Sequence, residues 1–176
     1  MSNILEHRGP DGKGMWLSER KNIGFIHRRL SIIDISENGS QPMKSLDNNV
    51  ITYNGEIYNY LELRNTLSNH WEFKSKSDTE VILAAYSYYG FDCLKYLRGM
   101  FAFALYDYEK DLLFCARDRF GIKPFYYSNN HNQFIFGSET KAILPFLDQI
   151  KTNKKALAEY FTFQFNLGSE TLFDSI

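Results

Sequence analysis

The dipeptide Asn54-Gly55 follows the apolar segment 50–53, and its two residue types suit two different roles. Asn and Gly both tolerate positive φ, so the pair could form a turn, which its spacing alone favours. Alternatively, the side-chain amide of Asn54 and the backbone N–H of Gly55 could form an oxyanion hole. The missing Cβ of Gly55 would then let a substrate approach closely. The dipeptide by itself leaves both interpretations open.

Charged residues that could bind a small zwitterion occur on both sides of this dipeptide. Arg28-Arg29 precedes an apolar run, and a guanidinium can clamp a carboxylate through two parallel charge-assisted bonds. A solvated arginine pair beside a strand is the simpler interpretation. Glu56 could likewise face solvent on a strand, and Asp78 could serve only helix-end electrostatics. None of these residues identifies a substrate alone.

The two cysteines, Cys93 and Cys115, lie in apolar segments with no Cys or His nearby at metal-ligand spacing. We therefore expect reduced, buried thiols. The four histidines are scattered and form no HExxH-like array. The sequence predicts no structural metal.

The elements that would position these residues are mainly strands. Short apolar runs bounded by polar residues predict strands at 14–17, 23–26, 30–33, 50–53, 101–106, 112–115, 125–127 and 134–136. The run 101–106 is almost continuously apolar, as expected of a strand covered on both faces. Turns at 108–111 and 129–132 would make two hairpins of the last four strands. The stretch 36–49 is rich in turn-forming residues and predicts a loop.

Two helices are predicted among these strands. Leucines at 61, 63 and 67 suggest the first helix. The second would begin after Ser77 as its N-cap, with Glu80 in the capping-box position, and would end at Gly90. Helices inserted among hairpin-linked strands predict an α+β domain with packed antiparallel sheets. After residue 145, a Lys- and Asn-rich stretch that could be a boundary or linker leads into a helix-like segment at 156–163.

Length and composition narrow the class of function. The chain has 176 residues, 44% of them hydrophobic, which suits one folded soluble domain. Twenty basic and 21 acidic side chains give a net charge of -1, which argues against nucleic acid and anionic membrane partners. No apolar stretch approaches the about 20 residues that cross a bilayer, and no signal region occurs. A cytoplasmic protein is expected.

Eight motifs occur along the chain in a characteristic order. They are HRGPDG (7–12), HRRLSIID (27–34), QP (41–42), YNGEIYN (53–59), SDTE (77–80), GMFAFA (99–104), ARDRFGIKP (116–124) and SETKA (138–142). Together they resemble the class II glutamine amidotransferase domain of the asparagine synthetase family, over nearly the whole chain. The resemblance implies an N-terminal-nucleophile hydrolase fold, an αββα sandwich of two antiparallel sheets, here without its first strand and helix.

The resemblance also implies how glutamine would bind. Arg29 would hold the α-carboxylate, and Glu56 with Asp78 would receive the ammonium group. Ile32 and Ile33 would contribute main-chain contacts. Each charged end of the zwitterion would then meet the opposite charge, leaving the side-chain amide at the reacting centre.

Catalysis in the family uses an N-terminal cysteine whose own α-amine acts as base. The thiol attacks the amide, ammonia leaves, and water resolves the thioester. Asn54 and Gly55 would form the oxyanion hole for this reaction. The family cysteine lies tens of residues before the HRGPD motif, which here begins at His7, so the nucleophile is expected to be absent.

Other residues do not replace that nucleophile. Cys93 and Cys115 are internal, and each carries an amide rather than a free amine on its nitrogen. Ser2 would become N-terminal if Met1 were removed. However, the segment 2–6 is too short to supply the first strand and helix and return to Asn54, since an extended chain covers about 3.5 Å per residue.

We therefore expect a chain truncated at both ends, with an amidotransferase domain at 1–145 and the start of a linker at 146–176. An ATP-using synthetase domain that activates aspartate would follow, and ATP and Mg²⁺ would belong to that domain. The chain would be the glutamine-binding, ammonia-donating part of a glutamine-dependent asparagine synthetase, inactive alone. Its partners would be L-glutamine and the synthetase domain, with a homo-oligomer left open. The alternatives are a non-catalytic glutamine-binding module, a structural remnant without a ligand, and a fragment of a relative with another acceptor.

Overall fold

The structure is a computed structural model that describes residues 1–31, 33–130 and 133–176. The chain divides into two compact units, a larger one formed by Ser2–Lys123 and a smaller one formed by Pro124–Ile176 with Met1. Across the described ranges, no helix has the length and apolar character needed to span a bilayer.

Among its described residues, the larger unit contains six strands and three helices in an α+β arrangement. Its strands are β1 (Gly12–Leu17), β2 (Gly24–Arg29), β3 (Met43–Lys44), β4 (Val50–Ile57), β5 (Gly99–Asp107) and β6 (Leu112–Arg117). Its helices are α1 (Tyr60–Leu67), α2 (Asp78–Tyr89) and α3 (Cys93–Tyr96), with 3-10 turns at Ser2–Arg8, Glu37–Gly39 and Gly90–Asp92. β1 and β2 form an antiparallel hairpin, and the other four strands form an antiparallel sheet in the order β3-β4-β5-β6.

The core of this unit lies between that four-stranded sheet and the helices. Side chains alternate along a strand, so residues 51, 53 and 57 of β4 share one face. They pack with Phe101 and Phe103 of β5 and with apolar residues of α1 and α2. Residues 52, 54 and 56 consequently lie on the second face of the sheet.

The β1–β2 hairpin contacts this second face. His27 Nδ1 lies 3.1 Å from Thr52 Oγ1, which joins β2 to β4. The ring centroid of Trp16 lies 5.5 Å from that of Tyr106 on β5. The second face of the sheet is therefore covered near Thr52 by polar as well as aromatic contacts.

The smaller unit contains β7 (Tyr126–Asn130), β8 (Gln133–Gly137) and α4 (Lys154–Phe163), with 3-10 turns at Thr140–Ala142 and Leu144–Phe146. β7 and β8 pair in antiparallel register, and the rings of Phe125 and Phe136 stack at 5.3 Å. α4 is capped by Asn153, whose side chain accepts from the N–H of Ala156. A short antiparallel bridge between Thr152 and Phe173 packs the chain end beside this cap.

Most predicted elements are confirmed. The α+β class, the antiparallel sheets, both predicted helices and the strands within β1, β2 and β4–β8 all occur. Ser77 caps α2 by accepting from Thr79 N–H, and Gly90 ends this helix with φ +61°. The helix-like segment at 156–163 falls within α4. The turn expected at 129–132 lies partly outside the described residues.

The segment 30–33 was predicted to be a strand, and at its described positions this prediction is wrong. β2 ends at Arg29, and residues 30, 31 and 33 are irregular. The N–H of Ser31 donates to the side chain of Asp11, at Oδ2 and 2.9 Å, rather than to the backbone of a neighbouring strand. Ile32 lies outside the described residues. The loop expected at 36–49 likewise contains β3, which extends the sheet.

The turn interpretation of Asn54-Gly55 is also wrong. β4 continues beyond the predicted segment 50–53 as far as Ile57, so the dipeptide lies inside the strand rather than at its end. Asn54 pairs with Ala102 and Gly55 with Phe101 of β5. Pairing with a long neighbouring strand outweighs the local turn preference of the two residues.

Glu80 does not close the predicted capping box. Its carboxylate accepts from Trp71 Nε1, from Lys74 N–H, and from both the N–H and Oγ of Ser75. The N–H of Ser77, which the capping box would use, donates to Ser75 Oγ at 3.2 Å instead. The buried glutamate therefore anchors the loop before α2.

Candidate functional site

The amide of Asn54 provides an available hydrogen-bond donor on the second face of the sheet. Its Nδ2 atom is buried and has no hydrogen-bond partner among the residues that the structure describes. The residue paired with it on β5 is Ala102, whose side chain is small. A buried donor without a partner costs about 1–3 kcal/mol, a cost that a bound acceptor would remove.

Gly55 directs its backbone toward the edge of β4 that faces away from β5. On β5, Phe101 accepts from Asp118 N–H and donates to the Asp118 carboxylate, so its backbone groups point toward β6. Its partner Gly55 therefore turns its own N–H the other way. The neighbouring N–H groups on that same edge, of Tyr53 and Ile57, bind Gln41 Oε1 at 2.7 Å and Asp78 Oδ2 at 3.0 Å. The N–H of Gly55 lies between these two contacts.

The pairing of β4 with β5 itself requires a glycine at position 55. A Cβ at this position would collide with the carbonyl oxygen of Met100 and lie 2.7 Å from Phe101 Cα. The absent side chain thus allows the close approach of β5. The expected close approach of a substrate at Gly55 stays a prediction.

Asp78, the first residue of α2, fixes the strand segment that carries the NGE sequence. Its Oδ2 accepts from the hydroxyl of Tyr53 at 2.7 Å and from the N–H of Ile57 at 3.0 Å. These two residues flank positions 54–56. Burial raises the pKa of Asp78, and the two hydrogen bonds partly oppose that effect. A ligand ammonium group would offset the cost of keeping this carboxylate charged.

Arg29, the last residue of β2, projects into the loop that follows it. Nη1 donates to the carbonyl of Ser36 at 2.9 Å, and Nη2 donates to the carbonyl of Asp34. A Cβ at Gly39 would collide with Nη2, so the buried glycine makes room for the guanidinium. A guanidinium has five N–H donors, and the remaining ones can bind a carboxylate.

For the other predicted site residues, the structure gives a position and a degree of burial. Glu56 is half-buried and shares the second face of the sheet with Asn54. Ile33 is half-buried in the loop after β2, and Ile32 lies outside the described residues. The roles given to them by resemblance remain predictions.

Two residues not predicted as site residues connect the parts of the site. Asp34 Oδ2 accepts from Lys76 N–H at 2.8 Å, which joins the Arg29 loop to the start of α2. Gln41 Oε1 holds Tyr53 N–H, and its Nε2 donates to Thr79 Oγ1 at 3.3 Å. Asp34 lies in the HRRLSIID motif and Gln41 in the QP motif, and this was the signal in the sequence that could have identified them as site residues.

Neither cysteine has the environment of a nucleophile. Cys93 is fully buried in α3, and Cys115 is half-buried in β6. Burial raises the pKa of each thiol to about 12. In the described ranges, no group of three or more His, Cys, Asp and Glu residues is arranged to hold a metal ion.

Sequence comparison relates the chain to glutamine-using enzymes. A family model described as a glutamine amidotransferase domain matches residues 1–176. A putative asparagine synthetase [glutamine-hydrolyzing] 2 from Methanocaldococcus jannaschii is 45% identical over 94% of this chain and 36% of its own length. Asparagine synthetase [glutamine-hydrolyzing] 1 from Bacillus subtilis is 46% identical over 94% of this chain and 26% of its own length. The chain thus spans about a quarter to a third of these relatives.

Structural comparison supports the predicted fold. The chain is similar to a glutamine phosphoribosylpyrophosphate amidotransferase from B. subtilis, with a TM-score of 0.68. The match covers 80% of this chain and 38% of the other, at 22% sequence identity. The predicted amidotransferase fold is confirmed.

Proposed function

Because the chain belongs to the glutamine amidotransferase domain family, we propose that it binds L-glutamine and acts as the ammonia-donating part of a glutamine-dependent asparagine synthetase. Arg29, Glu56 and Asp78 bind the two charged ends of the amino acid. Asn54 and Gly55 form the oxyanion hole. In the complete protein, a synthetase domain would use the ammonia, ATP and aspartate to form asparagine.

The observation that carries this proposal is the buried Nδ2 of Asn54, which has no hydrogen-bond partner in the described part of the chain. When a nucleophile adds to the glutamine side-chain amide, the carbonyl oxygen becomes an oxyanion. Two fixed donors, Asn54 Nδ2 and Gly55 N–H, suit that oxygen because they need no reorganisation as the charge develops. The strand β4 supplies both donors from adjacent residues.

The charged residues provide orientation. Arg29 has donors left after binding two backbone carbonyls, and it can hold the α-carboxylate. Asp78 is buried at the start of α2, where a ligand ammonium would stabilise its charged form. Glu56 would provide the second negative charge. Fixing both ends of the zwitterion leaves its side-chain amide directed to Asn54.

Hydrolysis also needs a nucleophile, and the raised pKa values of Cys93 and Cys115 make both thiols unsuitable. We propose that the complete protein supplies the nucleophile from outside this chain. That group would add to the amide carbon, ammonia would leave, and water would release glutamate. The same observation favours a second candidate function, a glutamine-binding module without hydrolysis.

Isothermal titration of the purified chain with L-glutamine tests the proposal. We expect saturable binding that Arg29→Ala weakens at least tenfold, because one charge-assisted clamp is lost. Arg20→Ala is the matched control, since Arg20 is exposed and pairs with Asp111 on the surface. A folded chain that fails to bind millimolar glutamine, or equal losses in both variants, would contradict the proposal.

Ammonia release separates the two candidate functions. A complete protein should release ammonia from glutamine, and Asn54→Ala should lower its turnover by about 10²–10³-fold, the usual effect of losing one oxyanion donor. Ammonia-dependent synthesis should survive this change. Binding without ammonia release in the complete protein would instead support the non-catalytic module.

A further inference from the structure

The loop between β2 and the 3-10 turn Glu37–Gly39 contains Asp34, whose groups contact three separate parts of the larger unit. Oδ1 accepts from the N–H of Ser36 at 2.9 Å and from its Oγ at 2.6 Å. Oδ2 accepts from Lys76 N–H at 2.8 Å. The backbone carbonyl of Asp34 accepts from Arg29 Nη2. One residue thus binds its own loop, the segment before α2 and the proposed carboxylate clamp.

Lys76 lies close to the proposed ammonium site. It is followed by Ser77, the N-cap of α2, and then by Asp78, the helix's first residue. The bond from Lys76 to Asp34 joins residues 42 positions apart in the sequence. Through it, the segment that ends in Asp78 is attached to the loop that holds the guanidinium of Arg29.

Electrostatics favours a charged Asp34 in this position. The hydrogen bond from Ser36 and then the bond from Lys76 N–H hold the pKa of Asp34 below its ordinary value, and the charge of Arg29 adds to this effect. A carboxylate with two oxygens can accept on both sides at once. Asparagine, with one acceptor oxygen, cannot keep both contacts.

We propose that Asp34 is a positioning residue that sets the separation between Arg29 and Asp78, and thereby selects ligands that carry both an α-carboxylate and an α-ammonium group. This inference rests on the proposed function, since it assigns Asp34 to the same glutamine site. Asp34 itself need not touch the ligand. Its effect is to hold the two charged clamps at the spacing of one amino acid.

The test compares Asp34→Asn with Asp47→Asn in the purified chain. Asp47 is a matched control because its carboxylate also accepts from nearby side chains, Ser45 Oγ and Asn49 Nδ2, but only within the β3–β4 turn. The ligands are L-glutamine, glutaramate, which lacks the ammonium group, and 4-aminobutanamide, which lacks the carboxylate. Affinities are measured by NMR titration.

Asp34→Asn is expected to weaken L-glutamine binding at least tenfold while changing the affinity of each single-ended ligand less than threefold. Asp47→Asn should change none of them by more than threefold. Asp34→Glu, which keeps a carboxylate, should recover part of the glutamine affinity. Equal losses for all three ligands would mean that Asp34 only maintains the fold, and the proposal would be wrong.

Amide hydrogen exchange provides a readout that does not need a ligand. Exchange at Ser36, at Lys76 or at both should accelerate at least tenfold in Asp34→Asn and stay unchanged in Asp47→Asn, because the single acceptor oxygen of asparagine can keep at most one of the two contacts. Unchanged exchange in Asp34→Asn would overturn the proposal. The original chain could fail to bind glutamine while exchange accelerates as expected. In that case both the glutamine function and the ligand selection assigned to Asp34 would be wrong. Only the attachment of the Arg29 loop to the segment before α2 through Asp34 would remain supported.

Discussion

His27 provides a quantitative test of how β2 packs against the sheet that carries Asn54. Its Nδ1 lies 3.1 Å from Thr52 Oγ1 on β4. Burial, and then the charge of Arg29, lower the pKa of His27 from 6.5 to about 4. The folded protein therefore holds a neutral imidazole over a pH range in which the unfolded chain binds a proton. The contribution of His27 to stability is therefore fully present above pH 6.5. It is lost as the pH falls toward 4, because the unfolded chain binds a proton that the folded protein does not.

The size of the effect follows from these two pKa values. Proton uptake by His27 in the unfolded chain lowers the free energy of unfolding by about 2 kcal/mol at pH 5, but only by about 0.2 kcal/mol at pH 7. Urea denaturation at both pH values measures it. Between pH 7 and pH 5, the original chain should lose about 2 kcal/mol more than His27→Gln.

A histidine at the surface controls for general effects of acid. His70 is exposed in the turn after α1, beside the ring of Tyr88. Because His70→Gln keeps the buried His27, it should follow the original chain between pH 7 and pH 5. Parallel losses in the original chain and in His27→Gln would refute the argument, because His27 would then have the same pKa folded and unfolded.

Two further substitutions test hydrogen bonds that hold the site in place. Gln41→Ala should lower the free energy of unfolding by about 1–3 kcal/mol, because Tyr53 N–H loses its acceptor. Gln41→Glu keeps an acceptor oxygen and should lower it less. Equal losses for the two variants in urea denaturation would contradict this reasoning. Asp118→Asn should lower the free energy of unfolding by about 2–3 kcal/mol. The buried carboxylate of Asp118 accepts from four backbone N–H groups, and the single oxygen of an amide can accept from only some of these. A change below about 0.5 kcal/mol in the free energy of unfolding would show that these bonds are replaced by others.

The sequence predicted elements whose signals are local. The apolar run in β5, the leucines of α1 and the Ser77 cap of α2 depend on neighbouring residues, and the structure contains all of them. The segment 30–33 has an equally apolar pattern. Within it, the N–H of Ser31 binds Asp11, a partner 20 positions away that no local pattern reveals.

The site was predicted unevenly for the same reason. Arg29, Asn54 and Asp78 lie in motifs whose order identified the family, so their positions could be named in advance. Their supporting residues could not, because Asp34 acts on a backbone N–H 42 positions away and Gln41 on one 12 positions away. Residue types do not show which backbone groups the fold will leave without partners.

Side chains alternate between the two faces of the sheet along β4, which explains how one strand can contribute to both the core and the proposed site. Its odd-numbered residues send their side chains into the core, and their N–H groups face the edge away from β5. Tyr53 and Ile57 use these N–H groups for structural bonds to Gln41 and Asp78, on either side of Gly55. The even-numbered Asn54 presents its amide on the opposite face. A shift of one residue in register with β5 would reverse both assignments, so the pairing of Gly55 with Phe101 determines the geometry of the proposed oxyanion hole.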